Sequence, residues 1–143
     1  MPYEFLEDIA IADIAFHAWG YDLQELFQSA GDATINTMIE DLDSINLKEM
    51  KTFSLENEAL DLLLFNFLQE FIYYKDSEQL LLRPQQVQFE EKNSTYHLNA
   101  VVQGEKLDPQ RHQQRVDVKA VTLHRFQLEK TKYGWTATVI LDI

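Results

Sequence analysis

The chain predicts an α+β fold, a three-layer β/α/β sandwich with two main helices between mostly antiparallel sheets. Three observations predict it. Strands, two helices and then a meander of strands follow one another, which is not the regular βαβ alternation of a parallel sheet. The second helical segment is apolar nearly all round, so it needs cover on more than one side. The length of 143 residues, with 45% apolar and 12% aromatic content, allows a real core and argues against disorder.

The elements follow from local pattern. Tyr3 to Leu6 and Ile9 to Ala18 read as extended, with a period near two through Ile9, Ile11, Ile14, Phe16 and Ala18. Gly20 ends that stretch. Asp22 caps a helix, with Glu25 three residues on as in a capping box. Leu23, Leu26, Phe27, Ala30, Ala33, Thr34, Thr37 and Met38 then keep helical spacing to about Glu40. Lys48 to Leu55 reads as a strand, Met50, Thr52 and Ser54 alternating against Lys51, Phe53 and Leu55. A second helix runs from near Asn57 to about Tyr74. Strand candidates follow at Leu80 to Leu82, Val87 to Glu91, Tyr96 to Gly104, Val116 to Leu128 and Trp135 to Leu141. Turns fall at Lys92-Asn93-Ser94, at Leu107-Asp108-Pro109 and at Lys130 to Gly134. The last is a hairpin in which Val121, Leu123 and Phe126 are expected to pair with the final strand. Three prolines and four glycines leave no linker, so residues 1–143 read as one domain.

Composition narrows the function. Without cysteine there is no disulfide framework and no thiolate metal site. Met1 to Phe5 has no basic n-region and no apolar h-region follows, so a cytoplasmic protein is expected. In that compartment the sequon Asn93-Ser94-Thr95 has no glycosylation role. Leu60 to Tyr74, the longest apolar stretch, is too short and too polar to span a bilayer. Twelve basic against 24 acidic residues give a net charge of −12. That field repels a phosphate backbone and suits a metal cation or a basic protein surface. Simple solubility is the bland alternative.

Motifs for phosphate loops, dinucleotide binding, serine nucleophile elbows and HExxH metal sites are absent. His17, His97, His112 and His124 lie far apart and read as structural or surface residues. The carboxylates are more informative. Asp13 interrupts the apolar Ile11-Ala12-Asp13-Ile14-Ala15. A buried carboxylate there needs a partner, either a ligand or an arginine such as Arg83 or Arg115; otherwise it faces solvent on an edge strand. The last strand ends on Asp142-Ile143, which sets a side-chain carboxylate beside a terminal one. Adjacent anions become comfortable when a cation sits between them. If the first and last strands are neighbours, Asp13, Asp142 and the Ile143 carboxylate converge as three hard oxygen donors, suited to calcium or magnesium. The polar run Gly104 to His112, feeding the apolar Val118 to His124, reads either as a capped connection or as an interaction loop.

Gly104-Glu105, Leu107-Asp108-Pro109, Arg111-His112, Val118-Lys119-Ala120-Val121-Thr122, His124 and the terminal Asp142-Ile143 together resemble the archease family. The resemblance extends to Tyr3 to Leu6, Ala12-Asp13, His17-Ala18-Trp19-Gly20 and the helix Leu62 through Tyr73, essentially the whole chain in order. It implies a β/α/β sandwich and a small acidic accessory protein, not an enzyme. Such a protein assists an RtcB-type RNA ligase in tRNA splicing and RNA repair, promoting ligase guanylylation and repeated turnover. It also implies a calcium site, for which the matching positions are Asp13, Asp142 and Ile143. The family motif before the HAWG-like stretch reads Asp-His-Thr-Ala-Asp. Here Ile9-Ala10-Ile11-Ala12-Asp13 keeps only the last aspartate, with Glu7-Asp8 displaced upstream. Past the first helix, Met38-Ile39-Glu40-Asp41 offers Glu40 or Asp41 for a further acidic ligand; Asp41 is the weaker metal candidate. Two rival functions remain: a metal-dependent hydrolase using Asp13 and Asp142 with His112 as acid or base, and a chaperone-like binding protein, which requires a large exposed apolar patch.

Overall fold

The structure is a computed structural model that describes residues 2–6 and 13–143. Strand β1 (Tyr3–Leu6) is followed by β2 (Asp13–Gly20), helix α1 (Leu23–Met38), a 3-10 turn (Leu42–Ser44) and β3 (Glu49–Asn57). Helix α2 (Leu60–Glu78) leads into β4 (Leu80–Lys92), β5 (Thr95–Lys106), β6 (Ala120–Thr131) and β7 (Gly134–Asp142). The expected strand over Ile9 to Ala18 is seen from Asp13 onward; residues 9–12 lie outside the described residues.

Two antiparallel sheets result. One has the order β1-β2-β7-β6, the other β3-β5-β4. Helix α1 packs on β2 and β7 of the first sheet and on β4 of the second. Helix α2 packs on β6 of the first and on β3 and β4 of the second. The helices therefore form the middle layer, as the all-round apolar α2 requires. Leu63, Leu64, Phe67, Leu68, Phe71 and Ile72 of α2 are buried in one cluster with Leu26, Phe27 and Ala30 of α1. Phe27 meets Phe67 on one side and Phe89 of β4 edge-on at 4.8 Å on the other.

Element ends differ from the sequence reading for local reasons. Asp22 does cap α1, its Oδ1 accepting the Glu25 N–H at 2.8 Å. The helix stops at Met38, because Ile39 turns extended and bridges to Gln114. Asn57 ends β3 and does not open α2; its side chain accepts the Ala59 N–H. Helix α2 continues past Tyr74 to Glu78, where Gln79 adopts left-handed φ 54° and turns the chain into β4. The two strand candidates after Gln79 are one strand, running through Pro84 with an irregularity between Pro84 and Gln86. An edge strand tolerates a residue without N–H, and β4 is an edge.

Asn93 and Ser94 both have positive φ and close the β4–β5 hairpin as a two-residue turn. Strand β6 begins at Ala120, not Val116. Val121 pairs with Leu141 as expected, but Leu123 and Phe126 do not pair. They lie in a break of register between Thr122 and Gln127, with Arg125 at φ 53°. Phe126 instead turns edge-on to Phe65 of α2.

At Gly104, β5 crosses β4 too closely for a side chain. A Cβ there stands 1.7 Å from the Leu81 carbonyl oxygen, a backbone atom that cannot swing aside. Gly104→Ala should therefore destabilise the fold by about 3 kcal/mol, in the range of forced overpacking. Urea unfolding with an unchanged slope and a lowered midpoint is the expected result.

Candidate functional site

Strand β2 enters its sheet at Asp13 and β7 leaves it at Asp142, and the antiparallel register makes these two residues direct partners. Directly opposed residues share a face, with Cβ atoms about 5 Å apart. Phe16 and Ala18 join the core with Val139 and Ala137, so Asp13 and Asp142 project from the opposite, outer face of the sheet. On its other side Asp142 faces Ala120, which offers only a methyl group. Ile143 packs its side chain against the core, and the Lys119 N–H holds the Asp142 carbonyl at 2.8 Å. The backbone that carries this end of the site is thus fixed from both sides.

Both aspartates are half-buried, and neither has an ion-pair partner among the described residues. Strand β1 pairs with β2 only from Ala15 to Ala18, so among the described residues Asp13 is paired on the β7 side alone. The two candidate arginines are engaged elsewhere. Arg83 grips Asp32 of α1 through Nε at 3.0 Å and Nη2 at 3.1 Å, a bond that raises its pKa further. Arg115 reaches Glu40 at 3.7 Å and lies over the Phe5 ring. Two facing carboxylates without a cation repel each other, and a divalent ion would relieve that. The donor set is hard oxygen, which fits calcium or magnesium and not a soft metal.

Among the described residues no three Asp, Glu, His or Cys side chains stand close enough to hold a metal ion together. The structure brings Asp13 and Asp142 together and does not add Asp41 to them. Asp41 lies on the surface, where its Oδ1 accepts the Asp43 N–H at 3.0 Å and caps the 3-10 turn. Glu7 and Asp8 lie outside the described residues.

The polar loop after β5 is a structural connection. Glu105 is buried, and its Oε2 collects the Asn46 N–H at 2.8 Å, His112 Nε2 at 2.9 Å and an Arg111 guanidinium nitrogen. Burial pushes the Glu105 carboxyl up, but the Arg111, Asn46 and His112 hydrogen bonds outweigh it and hold the pKa near about 2. His112 Nδ1 accepts the Asp108 N–H at 2.9 Å, so Nε2 carries the proton that goes to Glu105. Buried with both ring nitrogens engaged, His112 is in no position to serve a hydrolase as acid or base. His97 pairs with Glu56 at 3.2 Å and His17 with Thr138 at 3.3 Å; both contacts are side-chain pairs across strands.

The Archease protein family (MTH1598/TM1083) matches residues 3–143. The chain belongs to the archease family. Curated relatives agree with this placement. Protein archease of Pyrococcus abyssi is 35% identical over 133 residues, 92% of this chain and 93% of that protein. Protein archease of Methanosarcina mazei is 34% identical over 142 residues, 99% of this chain and 95% of that protein. The solution structure of Methanobacterium thermoautotrophicum protein 1598 superposes with a TM-score of 0.86 at 31% identity, covering 99% of both chains. The crystal structure of an archease from Thermotoga maritima, described as a possible chaperone, shares the fold at a TM-score of 0.65 and 18% identity over 98% of both chains.

In this member of the archease family the sequence reading missed one surface. Trp19, Tyr21, Tyr133 and Trp135 line a single pocket at the far end of β2 from Asp13. They come from opposite ends of the chain. The available signal was the pair of aromatic-glycine stretches, Trp19-Gly20-Tyr21 and Tyr133-Gly134-Trp135, which β2–β7 pairing sets side by side.

The Glu105 network carries a pH signature. Its folded pKa near 2 lies below the ordinary 4.5, so its stabilising effect is full above about pH 4.5 and is lost as pH falls toward 2. Glu105→Gln should lower stability at neutral pH by about 1–3 kcal/mol, the cost of weakening a buried hydrogen-bonded charge. It should also flatten the acid limb between those two pH values. Thermal unfolding of both proteins across that range reads the difference directly.

Proposed function

We propose that the chain is an accessory protein of an RtcB-type RNA ligase. It promotes ligase guanylylation and multiple turnover in tRNA splicing and RNA repair, and it does not join RNA itself. The observation that carries this reading is the Asp13–Asp142 couple, standing opposite each other with no ion-pair partner among the described residues, on a member of the archease family. Asp13, Asp142 and the Ile143 carboxylate would hold one calcium ion, or another divalent cation such as magnesium, with water completing the six to eight oxygens that calcium prefers. When bound, the ion supplies local positive charge and fixes the two strand ends. The residues themselves present a rigid acidic edge to the ligase, and the reading places the protein in the cytoplasm.

A chaperone-like binding role is the second reading. It is favoured by the exposed aromatic side chains gathered at the other end of the same sheet. Mixing purified ligase with this protein separates the two. Stimulated guanylylation and repeated ligation support the accessory role; an unchanged ligase, together with suppressed aggregation of unrelated unfolded proteins, supports the second.

Asp142→Ala should leave the fold intact, since the side chain projects from the outer face, and weaken calcium binding at least tenfold, equivalent to about 1.4 kcal/mol. Ligase stimulation should fall with it. Residues appended after Ile143 should act likewise by removing the terminal carboxylate. Titration calorimetry with calcium, in parallel with single- and multiple-turnover ligation, measures both effects. A tagged protein that binds and stimulates normally removes Ile143 from the site.

A further inference from the structure

The exposed large apolar side chains are not scattered evenly. Trp19 (38% exposed), Tyr21 (82%) and Tyr133 (79%) line one pocket of about 380 Å³, together with half-buried Trp135. That volume lies in the range of small-ligand and side-chain sites. The pocket is where the β6–β7 hairpin meets the start of α1. A Cβ on Gly134 would stand 2.2 Å from the Gly20 carbonyl oxygen, and one on Gly20 would stand 2.5 Å from the Leu26 nitrogen. Two glycines thus let three backbone segments close up, leaving the rings around the rim. The four rings make no stacking contact with one another, so the space between them is open to a ligand.

Charge selects the occupant. Among the described residues Glu25 is the only charged one lining the pocket. The capping box expected at Asp22 is only half made, because Asp22 accepts from Glu25 but no bond returns from the Glu25 side chain. Glu25 has no ion-pair partner among the described residues. Aromatic faces attract cations. The chain's own Lys130 and Lys132 already sit over Trp135 and Tyr133 at 5.9 and 5.8 Å, while no lysine or arginine lies over Trp19 or Tyr21. A phosphate group would meet Glu25 and a net charge of −12. Guanidinium groups stack on aromatic planes and pair with carboxylates, so arginine satisfies both features at once.

We infer that this pocket docks a basic segment of a partner protein, an arginine side chain entering between Trp19 and Tyr21 to meet Glu25. The inference does not depend on the cation site. The pocket lies at the other end of β2, about 20 Å away at the rise of an extended strand.

The test uses an accident of composition. Trp19 and Trp135 are the only tryptophans of the chain, so intrinsic tryptophan fluorescence reports this pocket alone. The full-length protein is titrated with a capped arginine-rich peptide, with its citrulline counterpart and with single-stranded RNA. The arginine peptide should give a saturable change in emission. Citrulline in place of arginine, Glu25→Gln, or the exposed pair Tyr21→Ala and Tyr133→Ala should each weaken binding about tenfold, a 1.4 kcal/mol difference. Glu91→Gln, which removes the same charge from the other sheet, should leave binding unchanged. Equal binding of the citrulline peptide, stronger binding of RNA, or an equal loss in Glu91→Gln overturns the proposal. So does self-association that disappears in the tyrosine double variant, which would make the occupant a second copy of this chain.

Discussion

The pairing of β2 with β7 is the constraint on which the rest of the structure depends. It runs unbroken from Asp13 opposite Asp142 to Gly20 opposite Trp135. Because side chains alternate across a strand, this one register decides two faces together. Inward it sends Phe16 and Ala18 with Val139 and Ala137 into the core. Outward it brings two carboxylates together at one end and sets Trp19 at the other. A slip of a single residue would bury the carboxylates and expose the phenylalanine, a cost of several kcal/mol in buried charge and lost apolar area.

Electrostatics around that register are uneven in a consistent way. Several cations of this acidic chain tie elements together. Arg83 clamps β4 to α1, Arg111 and Lys48 converge on Glu105, and Lys75 joins α2 to Asp117 before β6. Among the described residues none of them forms an ion pair with Asp13 or Asp142 at the outer end of β2 and β7. Beyond these joints the net charge of −12 leaves an acidic molecule whose contacts depend on what a partner or an ion brings.

Much of this was legible in the chain itself. Helix α1 is legible through Asp22 and an apolar stripe, and α2 through being apolar nearly all round, which placed it between layers. The convergence of Asp13 with Asp142 followed once the first and last strands were set next to each other. Other features were not legible, for physical reasons. Pro84 reads as a break, yet an edge strand absorbs it. Leu123 to Phe126 keep a strand-like composition, but Phe126 gains more by packing on Phe65 than by staying in register. The loop from Gly104 to His112 looked equally like an interaction site until His112 was seen buried against Glu105. The aromatic pocket depends on glycine contacts between distant segments, which no local pattern encodes.

The partners in the β2–β7 pair come from opposite ends of the chain. Closing so long a loop costs conformational entropy before any contact returns it, and non-local pairing of this kind folds slowly. Neither the carboxylate couple nor the aromatic pocket has a counterpart in the unfolded chain. Any ligand taken up at either end of β2 is therefore linked to folding, and it raises apparent stability in proportion to the logarithm of its concentration over its dissociation constant. Occupancy and foldedness become one equilibrium, so such a ligand would guard the chain against unfolding as well as bind it.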